Sequence, residues 1–169
     1  MAQQSPITEL DEPYSDANAE PVDWSVSRDA LDAAGVYWLA TVRSDGRPHV
    51  TPVAAVLVDG SLFFSTGPTE QKARNLEGNT NCVVTTGCND FKQGLDVIIE
   101  GMAVRTVDRA KLERLAGMFL TKYDDFFGFE AGEDAFVIPE GVAHVFEVAP
   151  IKAFAYERSE RGSATRYRF

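Results

Sequence analysis

The sequence has few of the residues from which metal centres and disulfide frameworks are built. It contains two cysteines, Cys82 and Cys88, with no CxxC pair, and two histidines, His49 and His144. A zinc site would have to gather all four from scattered segments, so no metal site is predicted. We expect both cysteines to be reduced and to act as small core or strand residues.

Long apolar runs and an excess of positive charge are also lacking. No run approaches the roughly 18 residues of a membrane span, and the N-terminus lacks the basic and apolar regions of a secretory signal. The formal net charge is −10, from 26 acidic and 16 basic residues. That balance disfavours nucleic acid and anionic membranes as partners. We therefore expect a cytoplasmic protein that binds neither.

The composition is that of one globular domain with an acidic N-terminal extension. A chain of 169 residues, 44% hydrophobic and 25% charged, is ordinary for a single domain. Residues 1–24 hold six acidic residues and no Lys or Arg, so they carry −6 and residues 25–169 carry −4. We predict a flexible tail or an arm laid over a neighbour for 1–24, and one folded domain for 25–169.

Runs of β-branched and aromatic residues predict a mainly β, antiparallel fold. Asp45-Gly46 and Asp59-Gly60 are typical hairpin turns, and they separate three runs predicted to form a meander, at 36–43, 49–58 and 62–66. Further strands are predicted at 81–86, 95–107, 141–148, 151–157 and 164–169. Pro52 places its strand at an edge or bulge, and Gly101 predicts a bend. Seven or eight strands predict a closed or partly closed barrel.

Three short helices are predicted in the connections. The first covers 27–35 with Ser27 as its N-cap, the second covers 69–76 with Thr69 as its cap, and the third covers about 108–122. The aromatic segment 123–135 is predicted to be a loop. No phosphate loop, dinucleotide fingerprint or hydrolase elbow is present in the sequence.

The segment 63–76 (FFSTGPTEQKARNL) combines several features that favour a phosphorylated ligand. Hydroxyl groups end a strand, and a helix with free backbone N–H groups and two cations follows. The side chains concerned are Ser65, Thr66, Lys72, Arg74 and Asn75. An ordinary helix cap with solvated cations is the alternative interpretation.

The segment 47–53 (RPHVTPV) predicts a strand with two different faces. His49, Thr51 and Val53 share one face, whereas Val50 and Pro52 share the other. The polar pair could form a row that faces a ligand, and the backbone beside Pro52 could bond the polar edge of a ring. A structural histidine with a satisfied hydrogen bond is the alternative.

Two further features are candidates with equally plain alternatives. Arg166 and Arg168 alternate with aromatic residues in the C-terminal TRYRF, and they could bind an anion or form a solvated edge strand that resists aggregation. Glu100, in an apolar strand, could be a perturbed carboxylate or could face solvent or pair with an arginine. No catalytic triad or carboxylate pair stands out, so no catalytic residue is predicted.

Taken in order, these segments resemble the FMN-binding split β-barrel family, the pyridoxamine 5′-phosphate oxidase-like group. The resemblance covers about residues 27–169 and is closest to the actinobacterial flavin/deazaflavin oxidoreductase branch, whose members end in a similar TRWRF. The matching blocks are VYWLATVRSDGRPHVTPV, LFFSTGPTEQKARNL, DVIIEGMAVRTV, HVFEVAPIKAFAYE and TRYRF. The Arg-rich strand motif and the Arg-Leu-x-Pro ending of true pyridoxamine phosphate oxidases are missing, so vitamin B6 oxidation is not expected.

The resemblance implies a split antiparallel β-barrel with Greek-key-like connections, in a homodimer with two cofactor sites at the subunit interface. It implies F420 or FMN as cofactor and does not separate the two. The cofactor phosphate would rest on Ser65, Thr66, Lys72, Arg74 and Asn75. The ring would lie against His49, Val50, Thr51, Pro52 and Val53, with Trp38 as a further lining residue. Arg166 and Arg168 match terminal arginines that lie close to the site in many members.

The activity that the resemblance implies is hydride transfer to or from a small conjugated or aromatic substrate. The cofactor would carry that chemistry while the protein positions the ring, in keeping with the absence of a catalytic set in the sequence. One alternative is a non-catalytic flavin- or haem-binding or sensing protein, in which His49 or His144 would be the haem ligand. A structural dimer with a decayed site is another.

Overall fold

The computed structural model describes residues 5–139, 141–160 and 162–169, and these form eleven β-strands and three α-helices. The strands are β1 (Ile7–Leu10), β2 (Tyr37–Val42), β3 (Pro48–Val53), β4 (Ala55–Val58), β5 (Ser61–Thr66), β6 (Asn81–Thr86), β7 (Gly94–Thr106), β8 (Glu130–Ala131), β9 (Phe136–Ile138), β10 (Gly141–Arg158) and β11 (Ser163–Arg168). The helices are α1 (Trp24–Ala33), α2 (Gln71–Gly78) and α3 (Arg109–Tyr123).

The long strand β10 organises the barrel. It pairs with β7 along one edge, and with β5 and then β11 along the opposite edge. The strand order is β1-β11-β10-β7-β6-β2-β3, the β4–β5 hairpin joins at β5, and all pairs are antiparallel. Because two different strands share one edge of β10, the barrel is split there. The predicted mainly β, split antiparallel barrel is confirmed.

The ladder between β7 and β10 is irregular opposite Gly101. Pro150 pairs with Gly101, and the register then skips Ile151. A Cβ atom on Gly101 would lie 2.5 Å from the carbonyl oxygen of Ala149, so only glycine fits this close approach. The bend predicted at Gly101 is therefore a bulge on the opposite strand. The strands predicted at 141–148 and 151–157 are two parts of β10.

Both hairpins of the predicted three-stranded meander form, but its middle strand is divided. Strand β2 pairs with β3 and β4 pairs with β5, whereas the single strand predicted at 49–58 is interrupted at Ala54 and becomes β3 and β4. The chain leaves one hairpin at Ala54, where the Tyr123 hydroxyl accepts the Ala55 N–H (3.0 Å) and donates to the Ala55 carbonyl (2.9 Å). These bonds occupy the Ala55 backbone groups. Within the described residues β3 pairs only with β2, so Pro52 lies on an edge strand as predicted.

Two helices begin at other residues than the sequence predicts. The α1 helix starts at Trp24 and is capped by Asp23, whose side chain accepts the Ser25 N–H at 2.7 Å. The predicted cap Ser27 is buried inside this helix, 2.8 Å from the Tyr167 hydroxyl. The α2 helix starts at Gln71, two residues later than a helix beginning at Thr69. The α3 helix agrees with its prediction to within one residue at each end.

Two buried apolar clusters hold the fold together. The larger fills the barrel and includes Tyr37, Leu39, Phe64, Phe146 and Tyr167. The smaller packs the predicted apolar stripe of α3, namely Leu112, Leu115 and Phe119, against β4, β5 and β9. The segment predicted as a loop at 123–135 contributes aromatic rings to this second cluster and also contains β8. Within the described residues, none of the helices is long and apolar enough to cross a bilayer.

Candidate functional site

The junction between β5 and α2 forms a cradle that holds an anion. The Glu70 carboxylate accepts the Gly67 N–H at 2.8 Å and forms an ion pair with Lys72. The Lys72 side chain is only 10% exposed, and Thr66 beside it is buried. We call Thr66, Gly67 and Lys72 the α2 cradle. A backbone N–H and a buried ammonium group that together hold a carboxylate are also suited to a phosphate group.

Glu70 is the present occupant of the α2 cradle. Its partial burial acts to raise its pKa, but the hydrogen bonds from Lys72 and Gly67 outweigh that effect, so the pKa of this carboxyl lies below its usual value. Glu70 is therefore ionised at neutral pH. No prediction from the sequence involved this residue, although its place two residues before Lys72 at the helix start was visible.

Asn75 joins secondary-structure elements in this structure. Its side-chain Nδ2 donates to Thr41 Oγ1 at 2.8 Å, and its Oδ1 accepts from Gln71 Nε2 at 2.7 Å. Arg43 Nη1 in turn donates to Gln71 Oε1 at 3.1 Å, and Thr41 Oγ1 lies 3.5 Å from His49 Nδ1. This polar chain links α2 to β2 and β3. The sequence predicted Asn75 as a phosphate contact and gave no signal for Arg43 or Gln71.

Ser65 and Arg74 lie near the α2 cradle without bonding to it. Ser65 is the residue of β5 just before Thr66 and is partly exposed. Arg74 is exposed on α2, two residues after Lys72. Among the described residues, neither side chain hydrogen-bonds to the cradle, so their predicted roles as phosphate contacts remain proposals.

The two faces of β3 differ in their surroundings. Pro52 lies opposite Trp38 of β2, and Val50 lies on that same face. His49 and Thr51 alternate onto the other face and are partly buried there, and Val53 is buried. The face grouping is the one expected from the alternation of the sequence.

A cavity of about 500 Å³ lies at the end of β3. It is mainly apolar and aromatic, and its walls are Gly35, Val36, Pro52, Val53, Ala54, Tyr123, Phe126 and Phe127. Ala55 lies opposite Phe64, two residues before Thr66. Strand rise and strand spacing then put the Cα atom of Thr66 roughly 8 Å from that of Ala55, the residue that follows the cavity wall. The cavity can accept a flat apolar group.

A tyrosine–lysine pair lies behind this cavity. Lys122 Nζ is 2.9 Å from the Tyr37 hydroxyl and lies over the rings of Tyr37 and Tyr123. Burial lowers the pKa of Lys122 and raises that of Tyr37. No sequence pattern indicates this pair, because the two residues are 85 positions apart.

The terminal arginines pair with the acidic N-terminal segment. Strand β1 lies antiparallel beside β11 of the same chain. Arg166 Nη2 donates to Asp11 at 2.9 Å, and Arg168 forms an ion pair with Glu9. The described part of the segment 1–24 therefore lies on its own barrel, while residues 1–4 fall outside the described residues.

These arginines are not brought together with the α2 cradle within one chain. Arg168 lies opposite Lys152 of β10, whereas Thr66 lies opposite His144. The eight residue steps from His144 to Lys152 correspond to roughly 25 Å of strand.

One side of the sheet presents large apolar side chains to solvent. Ladder pairs place Trp38, Val50, Val83, Ile98 and Met102 on one face of β3, β2, β6 and β7, where Thr85, Asn81 and Glu100 lie among them. We call the five apolar residues the open face. Trp38 is 49% exposed and Val50 58% exposed. Exposed apolar patches of this kind mark interaction surfaces.

The remaining candidate residues have ordinary surroundings. Glu100 is partly exposed and pairs in register with Lys152 and Val83. Cys82 is buried and Cys88 is exposed, both as free thiols. Burial and the nearby Arg105 lower the pKa of His144. Among the described residues, no three His, Cys, Asp or Glu side chains are grouped so that they could hold a metal ion.

Solved structures of several proteins share this fold. They include the FAD binding protein from Mycobacterium smegmatis (19% identity, TM-score 0.54, covering 92% of this chain and 98% of that one). The heme binding protein from Mycobacterium smegmatis is also similar (17% identity, TM-score 0.66, covering 86% of this chain and 58% of that one). A third is a putative 5-nitroimidazole antibiotic resistance protein from Bacteroides thetaiotaomicron (15% identity, TM-score 0.65, covering 98% of this chain and 92% of that one). At these identities the likeness concerns the fold alone.

Sequence comparison identifies the family. No curated protein matches the chain. The family model described as pyridoxamine 5′-phosphate oxidase, in contrast, matches residues 26–150, from α1 to β10. That match covers most of the sequence and includes both the α2 cradle and β3. The chain therefore belongs to the pyridoxamine 5′-phosphate oxidase family of split β-barrel proteins.

Proposed function

We propose that this chain is a homodimeric, cytoplasmic oxidoreductase that uses FMN or F420 to transfer hydride to or from a small conjugated or aromatic substrate. The observation that carries the proposal is the α2 cradle, where Gly67 and the buried Lys72 hold a carboxylate, in a chain that also has an aromatic cavity at the end of β3. An anionic tail and a planar ring are the two parts that such cofactors present.

The residues of this chain would bind and orient the cofactor. Thr66, Gly67 and Lys72 would hold its phosphate, and Ser65 and Arg74 would flank that group. When bound, the cofactor supplies the hydride chemistry, which explains why a protein of this kind needs no catalytic acid or base of its own.

The ring would be held by β3 and the cavity. Pro52 and Val53 would contact it from β3, while Tyr123, Phe126 and Phe127 would keep water from the reacting side. The predicted contacts from His49, Val50 and Thr51 belong to the same strand, and Trp38 pairs with Pro52 in the ladder. An apolar wall of this kind favours flat, uncharged substrates.

The open face supports the homodimer. Its exposed apolar side chains lie next to the strand that would contact the ring, so a second copy covering them would also close the site. Arg166 and Arg168 could reach a cofactor only on another chain, given their distance from Thr66 along β10. A dimer would thus complete a site that one chain leaves open.

The second candidate function is non-catalytic binding of a flavin or haem. It is favoured by the likeness in fold to a protein described as heme binding. Haem would need an axial ligand, and His49 and His144 are the histidines of this chain. Both are only partly buried.

The test is the visible spectrum of the purified protein, followed by titration of the apoprotein with FMN, F420 and haem. We expect FMN or F420 to bind, and the reduced cofactor to be oxidised by a conjugated acceptor. Lys72→Ala should weaken binding about 10- to 100-fold, from roughly 1.5–3 kcal/mol per charged hydrogen bond. Lys92→Ala, which removes an exposed lysine from the loop before β7, is the matched control.

Each other outcome points elsewhere. Binding of haem alone, with the corresponding spectrum, would support the second candidate function. Binding of FMN or F420 without any turnover would support a sensor or carrier. A protein that binds none of the three ligands would contradict both candidates.

A further inference from the structure

We propose that Glu70 makes the α2 cradle selective for a singly charged phosphodiester over a doubly charged phosphomonoester. The inference rests on the proposed function, because it concerns the anionic group of the same cofactor. It concerns which of the two cofactors, FMN or F420, this chain binds, because membership of the family does not separate them. FMN ends in a phosphomonoester, whereas the phosphate of F420 is esterified on both sides.

The charge of the α2 cradle is balanced before any ligand arrives. Lys72 contributes one positive charge, and Glu70, held against it, contributes one negative charge. Of the other cations around α2, Arg43, which follows β2, donates to the side chain of Gln71, and Arg74 is exposed. A ligand that enters beside Lys72 therefore meets a pair whose charges sum to zero, together with the uncharged Gly67 N–H donor.

A balanced site removes the advantage of a dianion. Beside a lone ammonium group, a dianion gains about twice the attraction of a monoanion. Beside the Lys72–Glu70 pair, a dianion is attracted by Lys72 and repelled by Glu70 about twice as strongly as a monoanion. The two changes nearly cancel. The dianion still loses more hydration than the monoanion on leaving water. The net preference then passes to the monoanion.

Glu70 is held firmly enough to exert this effect. It is anchored at both carboxylate oxygens, Oε1 by the Gly67 N–H and Oε2 by Lys72. Lys72 is buried, whereas the Glu70 side chain is 49% exposed, so a ligand meets Glu70 as it approaches Lys72. A ligand that displaced Glu70 would have to break both contacts, and a ligand that bound beside it would face its charge.

The ionisation of the ligand provides a second way to test whether Glu70 disfavours doubly charged ligands. The second pKa of a phosphomonoester is about 6, so acidification from pH 7.5 to 5.5 converts a monoester to its monoanion. Hydrogen bonds from Lys72 and Gly67 overcome the effect of burial and keep the pKa of Glu70 below its usual value, so Glu70 stays ionised over that range. Monoester affinity should therefore rise as the pH falls, while diester affinity should not.

The experiment compares phenyl phosphate with methyl phenyl phosphate, and FMN with F420, in the wild-type protein and two variants. Binding is followed by the amide signal of Gly67 in NMR titrations. Glu70→Gln removes the charge and keeps the shape. Glu77→Gln removes one charge from the exposed last turn of the same helix and is the matched control. Thermal unfolding checks the fold of each variant, and Glu70→Ala replaces Glu70→Gln if that variant does not fold.

We expect the Glu70 variant to improve monoester binding about tenfold relative to diester binding, equivalent to about 1.4 kcal/mol, and the Glu77 variant to leave the ratio unchanged. An unchanged ratio in Glu70→Gln would overturn the proposal. Equal weakening of both ligands would do so as well, since Glu70 would then only position Lys72. If the small phosphates show the expected selectivity while FMN and F420 do not bind, the proposed function fails and the selectivity of the cradle stands.

Discussion

Asn75 donates a hydrogen bond of 2.8 Å to Thr41 Oγ1, and this buried contact fastens α2 to β2. Lys72 lies in this helix, and β2 is hydrogen-bonded to β3. One side chain thus fixes the anion-holding residue relative to the strand that borders the aromatic cavity. Asn75 is 4% exposed, which leaves it little surface for a ligand.

Replacement of Asn75 by alanine should therefore destabilise the fold. We expect a loss of about 1–3 kcal/mol in the free energy of unfolding, because the hydroxyl of Thr41 and the amide of Gln71 lose a buried partner. Urea unfolding measures this change. Asn81→Ala, at an exposed position, should stay within about 0.5 kcal/mol of wild type. A normal stability combined with loss of phosphate binding would instead make Asn75 a ligand contact.

The elements that the sequence predicted well are those fixed by local chemistry. The turns at Asp45-Gly46 and Asp59-Gly60 were predicted from two residues each, and both glycines have the positive φ that such turns require, 84° and 86°. The face grouping of β3 followed from alternation alone. The apolar stripe of α3 followed from the helical period.

The features that the sequence missed depend on residues far apart in the chain. The separation of β3 from β4 involves the Tyr123 hydroxyl, which binds the Ala55 backbone across 68 positions. The pairing of Arg166 with Asp11 joins opposite ends of the chain. Local propensity contains no information about such partners, so the interruption of the predicted strand at Ala54 and the carboxylate partners of the arginines could not be predicted before the fold was known.

Gly101 should tolerate no larger residue. In Gly101→Ala the new methyl group would lie 2.5 Å from the Ala149 oxygen and 2.8 Å from Val148 Cγ1, so we expect a loss of roughly 1–3 kcal/mol in unfolding free energy. Gly117→Ala is the control, since a methyl group at that position of α3 would meet no neighbouring side chain or strand within 4 Å. That substitution should stabilise the protein by up to about 1 kcal/mol. Equal effects at the two positions would argue against the close approach of β7 and β10.

Cys82 should make the protein less stable at alkaline pH. Burial raises the pKa of its thiol from 9.0 to about 11, so the folded state retains a proton that the unfolded state releases. The stabilisation is complete below about pH 9 and is lost as the pH rises toward 11. It amounts to roughly 2–3 kcal/mol. Burial raises the pKa of Tyr37 in the same direction.

Unfolding free energies measured between pH 8 and 11 test this dependence on Cys82. In Cys82→Ala the alkaline decline should become shallower, because the titrating group is gone. Cys88→Ala removes the exposed thiol and should leave the slope as in wild type. An identical slope in all three proteins would show that the Cys82 thiol does not contribute.

The open face should be the surface through which two chains associate. A stable interface usually buries upwards of about 1,000 Å², and Trp38, at 49% exposure in one chain, lies on this face beside β3. We expect the wild-type protein to be a dimer by light scattering and Trp38→Glu to be a monomer, because burial of an unpaired carboxylate in an apolar contact is costly. Phe91→Glu, at a position 91% exposed in the loop before β7, should remain dimeric.

Because a dimer would close the cofactor site, Trp38→Glu should also bind FMN or F420 more weakly while unfolding as cooperatively as wild type. A wild-type monomer, or a Trp38→Glu dimer, would place the interface elsewhere.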